Sequence, residues 1–271
     1  MTSYRGRIAP SPTGFLHLGH GRTFSIAHRR CVEAGGTLVL RIEDLDTRRC
    51  RPEFVQGALD DLAWMGIKFA EGPFYQSRRR DVFLAAWDRL RRAGHLYPCT
   101  RSRKDVQSAA GAPHDEDDTE PVFPAAWRTP VEEALGHETP AGVNWRFRVP
   151  DGRVVEFTDL RAGPRRFVAG VDFGDFLVWN RDDVPAYELA VVADDIDMGI
   201  TEVVRGEDLL KSTARQLLLY EALGAPPPAF YHTPLVRDAN GVRLAKRTDA
   251  LAMKTWRERG CGFAEALGAV S

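Results

Sequence analysis

The sequence predicts an α/β fold with an inserted α+β segment. Runs with strand spacing and helix spacing alternate over the first 98 residues, and that alternation builds parallel sheets. The pattern breaks over residues 99–170 and returns in 171–271. The reading is therefore a first half-domain at 1–98, an inserted subdomain at 99–170 and a second half-domain at 171–271.

The elements follow in order. "GRIAPS" reads as a short strand ended by proline. Residues from about Leu18 to Ala34 suit a helix, stopped by Gly35 and Gly36. "TLVLRIED" is a strand with Leu38, Leu40 and Ile42 on one face and Val39, Arg41 and Glu43 on the other. Pro52 opens a helix that runs to about Met65 and ends at Gly66. Another follows Ser77, with Phe83, Leu84, Trp87 and Leu90 at helical spacing and Gly94 as its end. "VNWRFRVP" and "RVVEFTDL" are strand-like pieces of the insertion, and its acidic run "HDEDDTE" reads as a solvated loop. "DFLVWNRDDVPAYELAVVADDIDMGITEVVRGEDLL" is expected to supply strand-like pieces and a loop. "STARQLLLYEALG" is a helix capped by Ser212 or Thr213 and ended by Gly224. Such an order describes a Rossmann-type sheet.

Composition narrows the function classes. The chain of 271 residues is 44% hydrophobic and 28% charged, with a net charge of −1, so bulk charge announces no nucleic-acid partner. No apolar run approaches the ~20 residues of a membrane span, and the N-terminus has no signal-peptide stretch. A cytoplasmic location is expected. Cys31, Cys50, Cys99 and Cys261 form no CxxC pair and read as free thiols. Basic residues crowd Arg78 to Lys104; they form either a solvated helix face or a patch for phosphates.

The chemistry starts at residues 7–23, "RIAPSPTGFLHLGHGRT". A strand-to-helix turn aims unpaired N–H groups and the positive end of the helix dipole at one point, which favours an anion. Gly14 and Gly19 allow close approach to the backbone. His17 and His20 can donate to phosphate oxygens whose charge rises in a transition state.

This stretch resembles the first signature of the glutamyl-tRNA synthetases, which are class I aminoacyl-tRNA synthetases, and "LRIEDLD" resembles a second. "VVADDIDMGITEVVRGEDLL" is similar to the strand-to-loop segment of their second half, and "VRLAKR" at 242–247 to their KMSKS-type loop. The resemblance implies that residues 99–170 correspond to the acceptor-binding subdomain. It implies ATP binding by His17, Gly19, His20 and Lys246, with His17, His20 and Lys246 catalytic and Mg2+ accompanying the ATP. It implies glutamate binding by Arg7, Ser11, Glu43, Tyr187 and Arg205. Arginine's planar fork suits a carboxylate better than lysine does. Read without the family, Arg205 could be a strand-end ion pair, Tyr187 a core aromatic and "RLAKR" a basic surface turn.

Two departures from the family pattern stand out. The loop has Arg243 for the usual first lysine and Ala245 for the usual serine. Many relatives carry a zinc site in the insertion that begins "CTC", whereas Cys99 is followed by Thr100 and Arg101, with Phe123 and Trp127 at the later ligand positions. One cysteine cannot build a tetrahedral site, and His114 and Asp115 fit no zinc spacing, so no zinc is expected.

The chain ends about 25 residues after "RLAKR", short of the whole helical domain that follows in full-length relatives. The shortened form resembles the glutamyl-queuosine tRNA(Asp) synthetases. The resemblance implies glutamate activation with ATP and transfer to the queuosine base of tRNA(Asp). The alternatives are a shortened glutamyl-tRNA synthetase charging the tRNA 3′ end, an HxGH adenylyltransferase, and a catalytically silent paralog that only binds RNA or a protein.

Overall fold

The computed structural model describes residues 3–102, 104–106, 121–236 and 252–268. A five-stranded sheet organises the chain. Its strands are β1 (Arg5–Ile8), β2 (Thr37–Ile42), β3 (Glu71–Tyr75), β10 (Glu202–Gly206) and β11 (Ala229–Thr233), in the order β11-β10-β1-β2-β3 and parallel throughout. The order reverses between β1 and β10, and the carboxyl ends of strands at such a reversal form a crevice.

Helices cover both faces. Helix α1 (Leu18–Glu33) and α2 (Pro52–Trp64) pack with Ile8, Leu38, Leu40, Ile42 and Val204. The short α7 (Met253–Glu258) and α8 (Phe263–Gly268) close this layer through Met253 and Ala266. The opposite face carries α3 (Arg80–Arg92), α5 (Tyr187–Asp197) and α6 (Leu210–Ala222), packed on Val39 and Val203. The alternation read from "TLVLRIED" thus sorts side chains into the two layers. Gly35 (φ +59) takes the left-handed conformation after α1, and a Cβ on Gly36 would meet the Tyr4 carbonyl at 2.5 Å.

Two expectations fail in the second half. Residues 187–197 form a helix, not strand-like pieces and a loop. Helix α5 buries Glu188, Leu189, Ala190, Val191, Val192, Ala193, Asp194 and Asp195 on all sides, which erases the amphipathic period. Nor does Ser212 or Thr213 cap α6. A 3-10 turn at Glu207–Leu209 starts the helix at Leu210, so Thr213 lies inside it, fully buried.

A four-stranded antiparallel sheet stands beside the parallel one, in the order β4 (Leu96–Cys99), β5 (Asn144–Phe147), β8 (Phe176–Asn180) and β9 (Val184–Pro185). Helix α4 (Val131–Leu135) packs on β4. A hairpin, β6 (Val154–Asp159) and β7 (Gly163–Val168), reaches the outer strand β11, where the Leu160 N–H donates to the Phe230 carbonyl at 2.9 Å. The hairpin turn thereby occupies an otherwise open sheet edge.

Candidate active site

The crevice at the reversal is a cavity of about 390 Å³. Its walls include Arg7, Ser11, His17, Gly19, His20, Glu43, Tyr187 and Arg205. Every sequence-predicted site residue except Lys246 therefore meets in one place. Lys246 lies outside the described residues, as do Arg243 and Ala245. The described residues on either side border the site: Val236 lines the cavity, and Ala252 pairs with His17.

One end of the cavity is built by the start of α1. His17 is the N-cap, and its Nδ1 accepts the Gly19 N–H at 3.1 Å. The His17 N–H donates to His20 Nδ1 at 3.2 Å, which completes a reciprocal capping box. The two rings lie against each other, centroids 3.8 Å apart and planes tilted by 34°. Because each Nδ1 accepts a hydrogen bond, each neutral ring carries its proton on Nε2. The capping geometry therefore sets both imidazoles as Nε2 donors beside a helix N-terminus.

The other end is a clamp assembled from three neighbouring strands. Arg7 lies on β1, Arg205 on β10, and Glu43 directly follows β2. Both arginines are buried. Arg7 Nη1 donates to the Val204 carbonyl at 3.2 Å, and its Nε stands 3.6 Å from Asp195. Arg205 Nη2 donates to Thr213 Oγ1 at 2.7 Å and its Nε to His232 Nε2 at 3.2 Å, while Nη1 has no protein partner. Ser11 Oγ donates to Glu43 Oε2 at 3.1 Å. Tyr187, 40% exposed, opens the α5 end of the wall, and its phenol O–H is a donor at neutral pH. A buried guanidinium nitrogen without a partner is costly. A carboxylate ligand at Arg205 would satisfy it, and the Glu43 carboxylate suits an ammonium group.

The residues that hold this clamp were not anticipated. Arg41 is fully buried beneath Glu43, donating to Glu43 Oε1 at 3.2 Å and to Asp195 Oδ1 at 2.6 Å. Burial opposes its charge, but Asp195, Glu43 and Asp194 together raise its pKa. Asp194 accepts from Gln76 and Arg79, at 2.8 and 2.6 Å. A charge inside an apolar run, as in "LVLRIED" and "AVVADDID", was the available signal, because such groups are buried only when paired.

His232 is the other unanticipated residue. Its ring is fully buried, with Nδ1 2.6 Å from Asp159 Oδ2. Burial, then Arg205, pushes its pKa down to about 4 against the pull of Asp159, with Arg161 lowering it further. Asp159 itself is lowered: burial raises it, but the Ala162 N–H, the His232 ring and the Arg161 N–H outweigh that. The ring is thus neutral at pH 7 and donates to an ionised carboxylate. In the unfolded chain the imidazole binds a proton below ~6.5. Its folded-state pKa is the lower one, so its contribution to stability is present at neutral pH and is lost as pH falls. Asp61, whose carboxyl burial pushes up to about 6 against Arg257, titrates in the opposite sense. The difference between parent and His232→Gln isolates the histidine. That difference in urea-unfolding free energy is expected to shrink by about 3 kcal/mol as pH falls from about 7 to about 4.

Four arginines of the basic segment are held in ion pairs. Arg79 pairs with Asp194 and Asp197, Arg80 with Asp183, and Arg91 and Arg92 with Asp88. In the insertion, Phe123 packs between Tyr97 and Trp127, with Cys99 and Val106 beside it. Arg146 lies over Phe123 and Arg101 over Trp127, at 4.2 and 4.8 Å. Aromatic and cation–π contacts thus pack around Phe123 and Trp127. Among the described residues no group of three His, Cys, Asp or Glu could hold a metal ion; His114 and Asp115 are not among them. No helix among the described residues is long and apolar enough to cross a membrane.

Residues 3–265 match the family described as tRNA synthetases class I (E and Q), catalytic domain. The chain belongs to this family. Membership makes it a class I synthetase-type ligase and implies ATP as a substrate. The synthetase is 44% identical over 265 residues to the Glutamyl-Q tRNA(Asp) synthetase of Symbiobacterium thermophilum, covering 94% of this chain and 81% of that one. It is 43% identical to the protein of the same name from Nitratidesulfovibrio vulgaris, covering 97% and 84%. A crystal structure of a glutamate tRNA ligase from Elizabethkingia meningosepticum, in complex with its amino acid, matches with a TM-score of 0.77 at 29% identity. That match covers 91% of the synthetase and 52% of the ligase, so this chain spans about half of it.

Proposed function

We propose that this synthetase activates glutamate with ATP and transfers the glutamyl group to the queuosine base of tRNA(Asp). The observation that carries it is one cavity holding two buried guanidinium groups, a carboxylate and two adjoining imidazoles, in a chain so similar to proteins of that name. Arg205 takes the side-chain carboxylate of glutamate, with Tyr187 and Arg7 beside it. Glu43 and Ser11 take the ammonium group. The α-carboxylate then faces the turn that carries His17, Gly19 and His20.

The first step needs little proton transfer. A carboxylate oxygen of glutamate attacks the α-phosphorus of ATP, and the bond to the bridging oxygen breaks to release pyrophosphate. The Nε2–H groups of His17 and His20, with the N–H groups opening α1, stabilise the charge that gathers on the phosphate oxygens. Lys246 adds a cation on the leaving pyrophosphate. Mg2+ accompanying the ATP would supply further charge neutralisation on the phosphates. In the second step a queuosine hydroxyl attacks the acyl carbon, the bond from that carbon to the AMP phosphate oxygen breaks, and AMP leaves with the hydroxyl proton passing to its phosphate. Placing the groups carries most of this rate.

A second cavity, about 650 Å³, shares Ser11, Glu43 and Tyr187 with the first and extends past Asp46, Arg48, Asn180 and Asp182. The acceptor nucleoside enters there, beside the amino-acid clamp. The test supplies labelled glutamate, ATP and queuosine-bearing tRNA(Asp), then maps the label by nuclease digestion. Label on the queuosine nucleoside is expected. Label on the 3′-terminal adenosine would establish the tRNA-charging alternative, and no glutamate-dependent pyrophosphate exchange would establish the silent one.

A further inference from the structure

We propose that His232, locked by Asp159 from the inserted hairpin, is a positioning residue that fixes the Arg205 guanidinium for a carboxylate ligand. The inference rests on Arg205 binding glutamate, as proposed above. It starts from register. Strands β10 and β11 are parallel and pair Arg205 with His232. Neighbouring residues of parallel strands point to the same face. The two side chains therefore leave the sheet together, and Thr213 of α6 meets them there.

The three side chains close a triangle. Arg205 Nε donates to His232 Nε2 at 3.2 Å, Arg205 Nη2 donates to Thr213 Oγ1 at 2.7 Å, and Thr213 Oγ1 lies 3.0 Å from His232 Nε2. Two nitrogens of the fork are thereby fixed, which sets the plane of the guanidinium. Nη1 is left without a protein partner, and Arg205 lines the cavity. The arrangement works only if His232 Nε2 accepts. Were Nε2 protonated, an N–H would face the N–H of Arg205 and the plane would be lost.

Asp159 decides which ring nitrogen holds the proton. Its Oδ2 is 2.6 Å from His232 Nδ1 and accepts the His232 backbone N–H at 3.0 Å. Its Oδ1 takes the N–H groups of Arg161 and Ala162, at 3.1 and 2.7 Å. A carboxylate holding four donors is a fixed acceptor, so the imidazole proton stays on Nδ1. The Arg161 side chain donates to the His232 carbonyl and to Glu207 Oε2, so the same turn also holds the backbone of the pair. Asp159 lies on β6 and Arg161 in the turn after it. A hairpin remote in sequence from the sheet therefore sets the tautomer of a residue that aims the clamp. A purely structural pin would need only the backbone bonds to the hairpin, and these do not involve the ring.

The experiment is ATP–pyrophosphate exchange with purified full-length variants, titrating glutamate and ATP separately. His232→Leu keeps the backbone bonds and removes the ring acceptor. It is expected to raise the KM for glutamate about tenfold to a hundredfold, with the KM for ATP unchanged and kcat changed by less than about threefold. His232→Gln restores an acceptor toward Arg205 and a donor toward Asp159, and is expected to recover most of the glutamate KM. An unchanged glutamate KM in His232→Leu, or equal increases in both KM values, overturns the proposal. Should His232→Leu fail to fold, Thr213→Val decides: it removes the acceptor of Arg205 Nη2 at constant volume and should raise the glutamate KM several-fold, with Thr213→Ser restoring it. Arg205→Lys separates the two levels of argument. If it leaves the glutamate KM untouched, the clamp itself is misassigned; if it raises that KM while His232→Leu does not, only the positioning role falls.

Discussion

Arg205→Leu is expected to raise the KM for glutamate in pyrophosphate exchange by about a hundredfold to a few thousandfold, leaving the KM for ATP close to that of the parent. The size follows from the burial of the group. Arg205 is 5% exposed, and a carboxylate seated against it would be a desolvated ion pair. Removing one partner of such a pair costs about 3–5 kcal/mol, and each ~1.4 kcal/mol is tenfold in affinity. The fold should tolerate the change. Leucine roughly keeps the apolar contact with Phe230, over whose ring the guanidinium lies at 5.4 Å. The hydroxyl of Thr213 can then donate to His232 Nε2, which already stands 3.0 Å away. A fall in unfolding temperature accompanied by loss of ATP binding would mean that Arg205 is an internal strut rather than a ligand-binding group.

How far this site could be read in the sequence depends on the range of the interactions. The turn at residues 7–23 was legible because its parts are contiguous: a strand end, two prolines, a glycine and an HxGH segment state their geometry locally. The helices before residue 98 were legible because each exposes one face and ends at Gly35, Gly66 or Gly94, all at positive φ. Helix α5 was not, since burial on all sides leaves no period to detect. The supports of the clamp were harder still. Arg41 and Asp195 are 154 positions apart, and His232 and Asp159 are 73 apart. Such pairs exist only once the sheet has formed. Thr213 was misread as a cap because its hydroxyl suits one, whereas the helix starts earlier and turns that hydroxyl onto Arg205. The crowding of arginines between 78 and 104 left two readings open, because the aspartate partners of Arg79 and Arg80 lie far along the chain, on α5 and the β8–β9 turn.

The two histidines permit a cleaner separation of structure from chemistry than alanine substitution would give. His17 has two tasks in the proposed mechanism: its Nδ1 caps α1, as the structure shows, and its Nε2–H meets a phosphate oxygen. Asparagine is among the best N-cap residues, so His17→Asn keeps an acceptor for the Gly19 N–H and discards the imidazole donor. His20 stands at the third helical position, where glutamine is a natural capping-box partner, so His20→Gln keeps an acceptor for the His17 N–H. Both variants should unfold within about 1 kcal/mol of the parent, whereas His17→Ala loses the cap and about 1 kcal/mol with it. Each capping-competent variant is nevertheless expected to lower kcat for pyrophosphate exchange by about 100- to 1000-fold, the loss that follows removal of one donor to a developing anion. The glutamate KM should stay near the parent value, because the clamp at Arg7, Glu43 and Arg205 is untouched. If His17→Asn retained the full rate while His17→Ala lost it, the histidine would matter only as a helix cap. The charge stabilisation would then belong to the backbone N–H groups at the start of α1 alone.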